Sequence, residues 1–439
     1  MTYEETTHYL FNQTANYEQQ GAAGYKEGLD TMLALDEHLG HPHQHFRSIH
    51  VAGTNGKGSV CHLIAAILQI CGYKVGLYTS PHIIDFSERI KVNGVPVPED
   101  YVNQFVEQHR AFFEPLKPSF FEITTAMAFK YFEDMDVDIA VVEVGLGGRL
   151  DSTNIITPIL SVITNISLDH TRLLGSSIEQ IAVEKAGIIK EGVPVVIGES
   201  MPETRPLFEA IAMEHHAKIV FADDEENQRI IEANTQEDGM IHYRLKNRIE
   251  FRCELTGEFQ PKNMTTTLCA LSQLAEAGYL SSVGRDGNEK AGLEMDNAFQ
   301  NVKKLTGLLA RWQTVRENPT VICDMGHNPG AWDYLSHQLE SIECNELRIV
   351  FGIAEDKDVY AILEKLPKNA TYFFTKSTNH RALSEMSLKV FGEQFGLNCQ
   401  SFPTVEEAYQ AALQGASSDD VIFVGGSAYV VSDFLKTRI

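Results

Sequence analysis

The sequence predicts an α/β protein of two domains. A mostly parallel sheet domain comes first, and a smaller, Rossmann-like α/β domain follows it toward the C-terminal end. Three observations predict this. The chain has 439 residues, and a single hydrophobic core stops growing at roughly 250–300 residues. Short runs rich in β-branched residues alternate with helical patterns, the signature of a parallel sheet covered on both faces. A glycine-rich turn joins the first clear strand to the helix after it, at the kind of sheet edge where open α/β folds take ligands.

The elements follow in order. Residues 1–20 are polar and are expected to dock loosely. Leu29, Met32, Leu33 and Leu35 have near-helical spacing and predict a helix over 29–39. His41, His43 and His45 surround Pro42, and that context reads as a solvated turn rather than a metal site. Strands are predicted at 49–52, 75–78, 137–144, 160–164 and 193–197, with a helix over 59–71. The stretches 222–240 and 281–297 are acidic and glycine-dotted, and they read as surface excursions or hairpin loops. A second αβ series follows, with strands at 320–323, 347–351, 372–374 and 421–424. Its helices are expected near 330–340, 358–366, 382–395 and 405–414. The domains are placed at 1–302 and 303–439.

Composition narrows the function. Lys and Arg total 36 against 60 Asp and Glu, a net charge of −24. So acidic a chain repels nucleic acid and anionic membrane. No apolar run approaches the ~18 residues of a membrane span, and the opening residues lack the pattern of a secretory signal. Seven scattered cysteines without a C-x-x-C pair fit free thiols in a reducing cytoplasm, not a zinc site. A cytoplasmic monomer acting on small molecules is expected.

Three segments carry chemistry. Gly53-Thr54-Asn55-Gly56-Lys57-Gly58-Ser59 lies between a strand and a helix. Backbone N–H groups and a helix N-terminus there suit phosphate oxygens, and Lys57 would neutralise their charge, which makes this a P-loop-containing domain. The spacing is shorter than the usual G-x-x-x-x-G-K-[ST]. Second, Glu143 ends an apolar strand and is followed by Val144-Gly145-Leu146-Gly147-Gly148-Arg149-Leu150-Asp151-Ser152-Thr153-Asn154. A carboxylate at that edge suits Mg²⁺, a hard cation that prefers oxygen ligands. Third, Thr164-Asn165-Ile166-Ser167-Leu168-Asp169-His170 also leaves a strand, so His170 is a further candidate ligand. Lys185 follows in Glu184-Lys185-Ala186-Gly187, where the residues alone leave open whether it is a plain solvated charge.

These motifs, with Thr79-Ser80-Pro81-His82 and Phe120-Phe121-Glu122-Ile123-Thr124-Thr125, occur in this order in folylpolyglutamate and dihydrofolate synthases of the Mur ligase superfamily. The sequence resembles that family over residues 25–439. The resemblance implies an ATP-dependent amide ligase that adds L-glutamate to folates and to dihydropteroate through an acyl phosphate. A monofunctional folylpolyglutamate synthase is the alternative. It implies that Gly56, Lys57, Gly58 and Ser59 cradle the triphosphate and that Ser80, Glu143 and His170 hold Mg²⁺. Lys185 resembles the family's carbamylated lysine, and its carbamate would help hold a second magnesium; a monovalent cation is a further possible cofactor. The pterin-bearing substrate would meet Phe121, Glu122, Thr124, Leu150, Asp151 and Ser152. Asn263 and Arg311 would serve ATP, Asp324 the ribose, His327 the phosphate or the incoming glutamate, and Ser427 the glutamate. Catalytic roles fall to Lys57, Lys185 and His327.

Within Asp324-Met325-Gly326-His327-Asn328-Pro329, Met325 and Gly326 depart from the family's Gly-Ala. Because ATP, folate and glutamate are all anions, Lys57, Arg89, Arg149, Arg311 and Arg381 are expected to supply local positive charge. Three rival readings differ in class: a cell-wall Mur ligase, a motor or regulatory P-loop NTPase, and a non-catalytic folate binder. The phosphate loop begins at residue 53, with no evident extra N-terminal domain for a UDP-linked substrate, which argues against the first. The short glycine loop paired with Glu143 and His170 argues against the second. The full set of Lys57, Glu143, His170 and Asp324 argues against the third.

Overall fold

The computed structural model describes residues 1–12, 14–16, 21–24, 26, 28–226, 228–280 and 289–437. They form two compact units. One ends at Leu308; the other begins at Leu309 and also takes in Gly21 and Ile83–Asp85. Residue 302, the expected boundary, opens the helix Val302–Thr306, which belongs to the first unit. Ile83 is buried with Val321, Val424 and Val430 of the second unit, a long-range placement that local pattern does not encode.

The first unit is built on an eight-stranded sheet. Its strands are β1 (Arg47–Ala52), β2 (Val75–Tyr78), β3 (Ile90–Val92), β4 (Val95–Pro96), β5 (Ile139–Glu143), β6 (Leu160–Ile163), β7 (Val195–Ile197) and β8 (Ile219–Phe221). Their order is β4-β3-β2-β5-β1-β6-β7-β8. Six strands are parallel, and only the β3–β4 hairpin runs antiparallel at one edge. Every residue of β5 is buried, which is why it reads as a continuous apolar run. Val51 of β1 pairs with Glu143 of β5 and Val162 of β6. That register makes the segments leaving β1, β5 and β6 emerge side by side at the carboxyl edge.

The helix Lys57–Ile70 starts two residues earlier than its apolar pattern predicts, so Lys57 and Gly58 lie in its first turn. It is buried from Gly58 to Leu68. The reason is a second layer: the helices Gln260–Glu276 and Glu289–Phe299, and a small antiparallel sheet, share one core with it. That sheet comprises β9 (Ile230–Thr235), β10 (Ile241–Leu245) and β11 (Glu250–Cys253). In β10, Ile241, Tyr243 and Leu245 point inward and alternate with His242 and Arg244. The 222–240 stretch thus supplies one strand of a hairpin. Of the 281–297 stretch, 281–288 lies outside the described residues. The remainder is helix, not loop, because Ala291, Met295, Ala298 and Phe299 recur at helical spacing and pack into the core.

The second unit carries β12 (Gln313–Glu317), β13 (Thr320–Asp324), β14 (Leu347–Phe351), β15 (Ala370–Phe374), β16 (Asn398–Ser401) and β17 (Val421–Gly425), in the order β12-β13-β17-β14-β15-β16. Only β12 is antiparallel. Among the described residues no helix is long and apolar enough to cross a membrane. None of the seven cysteines is joined in a disulfide.

The chain start departs from expectation. Tyr3–Asn12 is a helix with Tyr9 and Leu10 buried, so it is docked by its apolar face. The histidine turn is organised by one carboxylate: buried Asp36 accepts from Nδ1 of His41 and of His43, both at 2.7 Å. Burial alone would raise the Asp36 carboxyl, but the hydrogen bonds from His43 and His41 outweigh it and hold it below its ordinary value. A lowered folded-state value stabilises the fold above the ordinary carboxylate range, and that stabilisation is lost as pH falls through the range. The wild-type melting temperature should therefore drop more steeply than that of Asp36→Asn between about pH 5 and pH 3. Parallel melting curves would show that the pairing contributes nothing.

Candidate active site

The glycine loop after β1 is held from below by the loop after β6. Thr54 N–H donates to the Asn165 carbonyl at 2.9 Å, and Asn55 N–H to the Asn165 side-chain oxygen at 2.9 Å. Ser167 N–H donates to Thr54 Oγ1 at 3.0 Å, and Thr164 Oγ1 donates to the Asn55 carbonyl at 2.6 Å. The third motif is thus the buttress of the first. Gly53 is at φ 146, and a Cβ there would lie 1.8 Å from Thr164 Oγ1. Gly56 caps the helix in the left-handed region at φ 84. The first N–H groups of the helix it opens have no intrahelical acceptor, which leaves them for an anion.

Two lysines converge on this turn. Lys57 Nζ donates to the carbonyls of Gly53 (3.0 Å) and Thr54 (3.2 Å). Lys185 Nζ, buried, donates to the same Gly53 carbonyl at 2.7 Å. Burial, and then the neighbouring Lys57 charge, bring the Lys185 amine down to about 7. Asn263 also reaches the loop: a Cβ on Gly56 would sit 2.2 Å from its Oδ1. Its side-chain amide is oriented by Gln260 at 2.9 Å.

Glu143 ends β5 almost fully buried and accepts the Ser80 N–H at 3.1 Å. The structure therefore brings two of the expected metal ligands into contact, one strand away from the glycine loop. His170 opens the short helix Thr171–Leu174 in the left-handed region, and its N–H bonds to Asp169 Oδ1 at 2.8 Å. A carboxylate, a hydroxyl and an imidazole make a donor set suited to a small divalent cation.

The residues expected to meet an acceptor divide into two kinds. Phe121 lies against the glycine turn after β5, where a Cβ on Gly145 would come within 2.5 Å of its ring. Glu122 and Thr124 also bond within their own helix. Glu122 is the reciprocal partner of Ser119 in a capping box that starts the helix Phe120–Asp134, and Thr124 Oγ1 bonds back to the Phe120 carbonyl at 2.7 Å. Asp151 is also turned inward. Its carboxylate accepts from Leu146 N–H (2.8 Å), from Thr153 N–H (3.0 Å) and from the Thr153 hydroxyl, while burial pushes it up. It shapes the loop. Leu150 and Ser152 beside it are only partly buried.

The second unit uses a buried carboxylate in the same way. Asp324, at the end of β13, accepts the N–H groups of Trp312 and Gly326, each at 2.8 Å. Burial raises it, and Arg311 opposes that rise. Arg311 stands between two non-glycine residues in the left-handed region, Ala310 (φ 57) and Trp312 (φ 46). His327 places Nδ1 at 3.0 Å from the Met325 carbonyl and so carries its proton there. Ser427 caps the helix Ala428–Lys436 by accepting the Val430 N–H at 3.2 Å, and its hydroxyl proton remains available to donate. The departures at 325–326 have a packing reason. Met325 is buried in the core, and a Cβ on Gly326 would lie 2.5 Å from Leu335.

Of the five expected positive groups, Lys57 is bonded to two carbonyls and three arginines are engaged with side chains. Arg149 pairs with Glu184 at 2.9 Å, Arg381 pairs with Asp356, and Arg89 donates to His82 at 2.8 Å beneath the Phe120 ring. Sequence reasoning missed Thr54, Thr164 and Asn165. The signal was the Thr-Asn dipeptide repeated at 54–55 and 164–165, one copy in each of the two stitched loops. A substitution tests the stitching. Gly53→Ala should lower stability by about 2–4 kcal/mol, because its Cβ must displace Thr164, and a chemical denaturation curve within about 0.5 kcal/mol of wild type would contradict the close approach.

Comparison with known proteins places this geometry. Residues 51–271 match the Mur ligase middle domain, and residues 310–428 match the Mur ligase glutamate ligase domain. The chain is 32% identical over 435 residues to the dihydrofolate synthase/folylpolyglutamate synthase of Bacillus subtilis (strain 168), covering 94% of this chain and 95% of the relative. It resembles the solved structure of E. coli FolC in complex with DHPP and ADP with a TM-score of 0.81 and 29% identity, over 100% of this chain and 98% of that one. A bifunctional folylpolyglutamate synthase/dihydrofolate synthase from Yersinia pestis, complexed with AMPPNP and Mn ion, gives a TM-score of 0.79 and 27% identity over 100% and 98%. With two matched domains and a relative aligned along nearly its whole length, this chain belongs to the dihydrofolate synthase/folylpolyglutamate synthase family of Mur ligases.

Proposed function

We propose that this chain is an ATP-dependent ligase that joins L-glutamate to folates, tetrahydrofolate among them, and to dihydropteroate, the second reaction giving dihydrofolate. The observation that carries the reading is the glycine loop with Lys57 and Lys185 on one carbonyl, set one strand from the Ser80–Glu143 contact. A carboxylate is a poor electrophile. In the reaction the acceptor carboxylate attacks the γ-phosphorus of ATP, the bond to ADP breaks and an acyl phosphate forms. The glutamate amine then attacks the acyl carbon, loses a proton, and inorganic phosphate leaves as the amide forms.

The residues divide this work. Gly56, Lys57, Gly58 and Ser59 hold the phosphates by backbone N–H groups and one cation, and Asn263 sits against their turn. Ser80, Glu143 and His170 are the residues suited to hold Mg²⁺. When bound, the ion neutralises charge on the transferring phosphoryl group. Lys185 has an amine near 7, so its neutral form, the one that adds CO₂, is populated at neutral pH. That supports carbamylation there. Phe121, Leu150 and Ser152 are assigned to the acceptor, with Asp151 as the framework of their loop. Arg311 and Asp324 are assigned to nucleotide, and His327 and Ser427 to phosphate and glutamate. The first unit then serves the phosphates of ATP and the folate, and the second serves the rest of the nucleotide and the glutamate.

Phosphate release with MgATP and L-glutamate tests the reading, comparing dihydropteroate with tetrahydrofolate as acceptor. Release with both is expected. Release with tetrahydrofolate alone would make the enzyme a folylpolyglutamate synthase only, and release with neither would overturn the assignment. Lys57→Ala should lower kcat by about 100-fold or more. Lys185→Ala should be similarly impaired, and acetate, which returns an anionic oxygen to the space, should restore part of its activity; rescue equally well by neutral acetamide would argue against a carbamate.

A further inference from the structure

The acceptor loop is tied to the strand that carries the phosphate loop by one buried chain of side chains. Asp151 Oδ1 accepts the Thr153 N–H and hydroxyl, and Thr153 Oγ1 lies 2.8 Å from His50 Nε2. The directions follow from donor counting. The ionised Asp151 only accepts, so the Thr153 proton points to it, and the Thr153 oxygen accepts from His50 Nε2–H. That leaves Nδ1 as a bare lone pair. It is buried and has no hydrogen-bond partner among the described residues. Complete burial, with the Lys190 charge nearby, brings the imidazole down to about 3, in keeping with this neutral tautomer.

His50 sits in the middle of β1, paired with Val142 of β5 and Ser161 of β6, and its strand neighbours are Ile49 and Val51. An apolar residue there would bury no unsatisfied nitrogen. The cost is offset by what the other nitrogen does. His50 stands three residues before Gly53, so its bond to Thr153 sets the height of residues 145–153 against the phosphate loop. Acyl phosphate formation needs the acceptor carboxylate in line with the γ-phosphoryl group, and small misplacements are costly.

We infer that His50 is a positioning residue that, through Thr153 and Asp151, registers the acceptor loop against the phosphate loop. The inference rests on the proposed function, in which that loop meets the folate or pteroate. Two readouts test it on the full-length enzyme. Amide hydrogen exchange reports the loop whatever its ligand, and steady-state kinetics reports the reaction. Thr153→Val and His50→Leu should each speed exchange at Leu146 and Thr153 while leaving the helix Lys57–Ile70 protected. Each should lower kcat/KM for the acceptor by about ten-fold with the KM for ATP unchanged. The double variant should be no worse than either single one. Thr153→Ser and His50→Gln, which keep the hydroxyl and an Nε donor, should recover most of both. If His50→Leu does not fold, the Thr153→Val and Thr153→Ser pair decides. Exchange that is unchanged or spread over the whole unit, or acceptor and ATP constants that move together, would overturn the inference. A wild-type enzyme inert toward every folate acceptor, with loop exchange responding as described, would instead count against the proposed function alone.

Discussion

The Gly53 peptide is the constraint on which the site depends. Its carbonyl receives two ammonium groups, Lys57 from the helix it precedes and Lys185 from a helix far along the chain. Its Cα has room for no side chain, since Thr164 occupies the space a Cβ would need. One peptide therefore joins the phosphate loop, the loop after β6 and the buried lysine. Two cations near one another repel, and burial further penalises the charge on Lys185. Burial and the Lys57 charge bring the Lys185 amine down to about 7, so charged and neutral forms are both populated near pH 7.

Buried carboxylates give the surrounding loops their shapes. Asp151 gathers N–H groups from Leu146 and Thr153, Asp324 gathers those of Trp312 and Gly326, and Asp36 gathers two histidines. A loop cannot satisfy its backbone groups with a sheet or helix ladder, so a buried acceptor with several lone-pair directions substitutes for one. These acids account for part of an acidic composition that looks unsuited to anionic ligands. Asp151 and Asp324 are each turned into the frame of their own loop. Arg149 and Arg381 are neutralised by local partners. Attraction for phosphate is therefore concentrated in a few groups and is not spread over the surface.

Much of the architecture was legible in the chain. β2 and β14 run over the predicted residues, since an apolar run bounded by glycine or polar turns has few alternatives. The glycine loop, the carboxylate ending β5 and the histidine after β6 were legible as well, because each follows a strand directly and parallel register delivers all three to one edge. The segment after 281 was read as a loop because its acidic residues masked Ala291, Met295, Ala298 and Phe299. Ile83–Asp85 could not be assigned to the second unit from any local pattern.

The sequence by itself determined the types of its strongly periodic elements and the glycine loop between strand and helix, because these follow from periodicity and from residues adjacent in the chain. The tertiary structure alone decided which partner each polar side chain meets. Glu122, Thr124 and Asp151 have the composition of binding residues, and each also bonds a backbone group a few residues away. Lys185 has the look of a surface lysine, yet it is buried against a glycine 132 positions earlier. A side chain's partner depends on what the fold brings within about 3 Å of it, and spacing along the chain does not contain that distance.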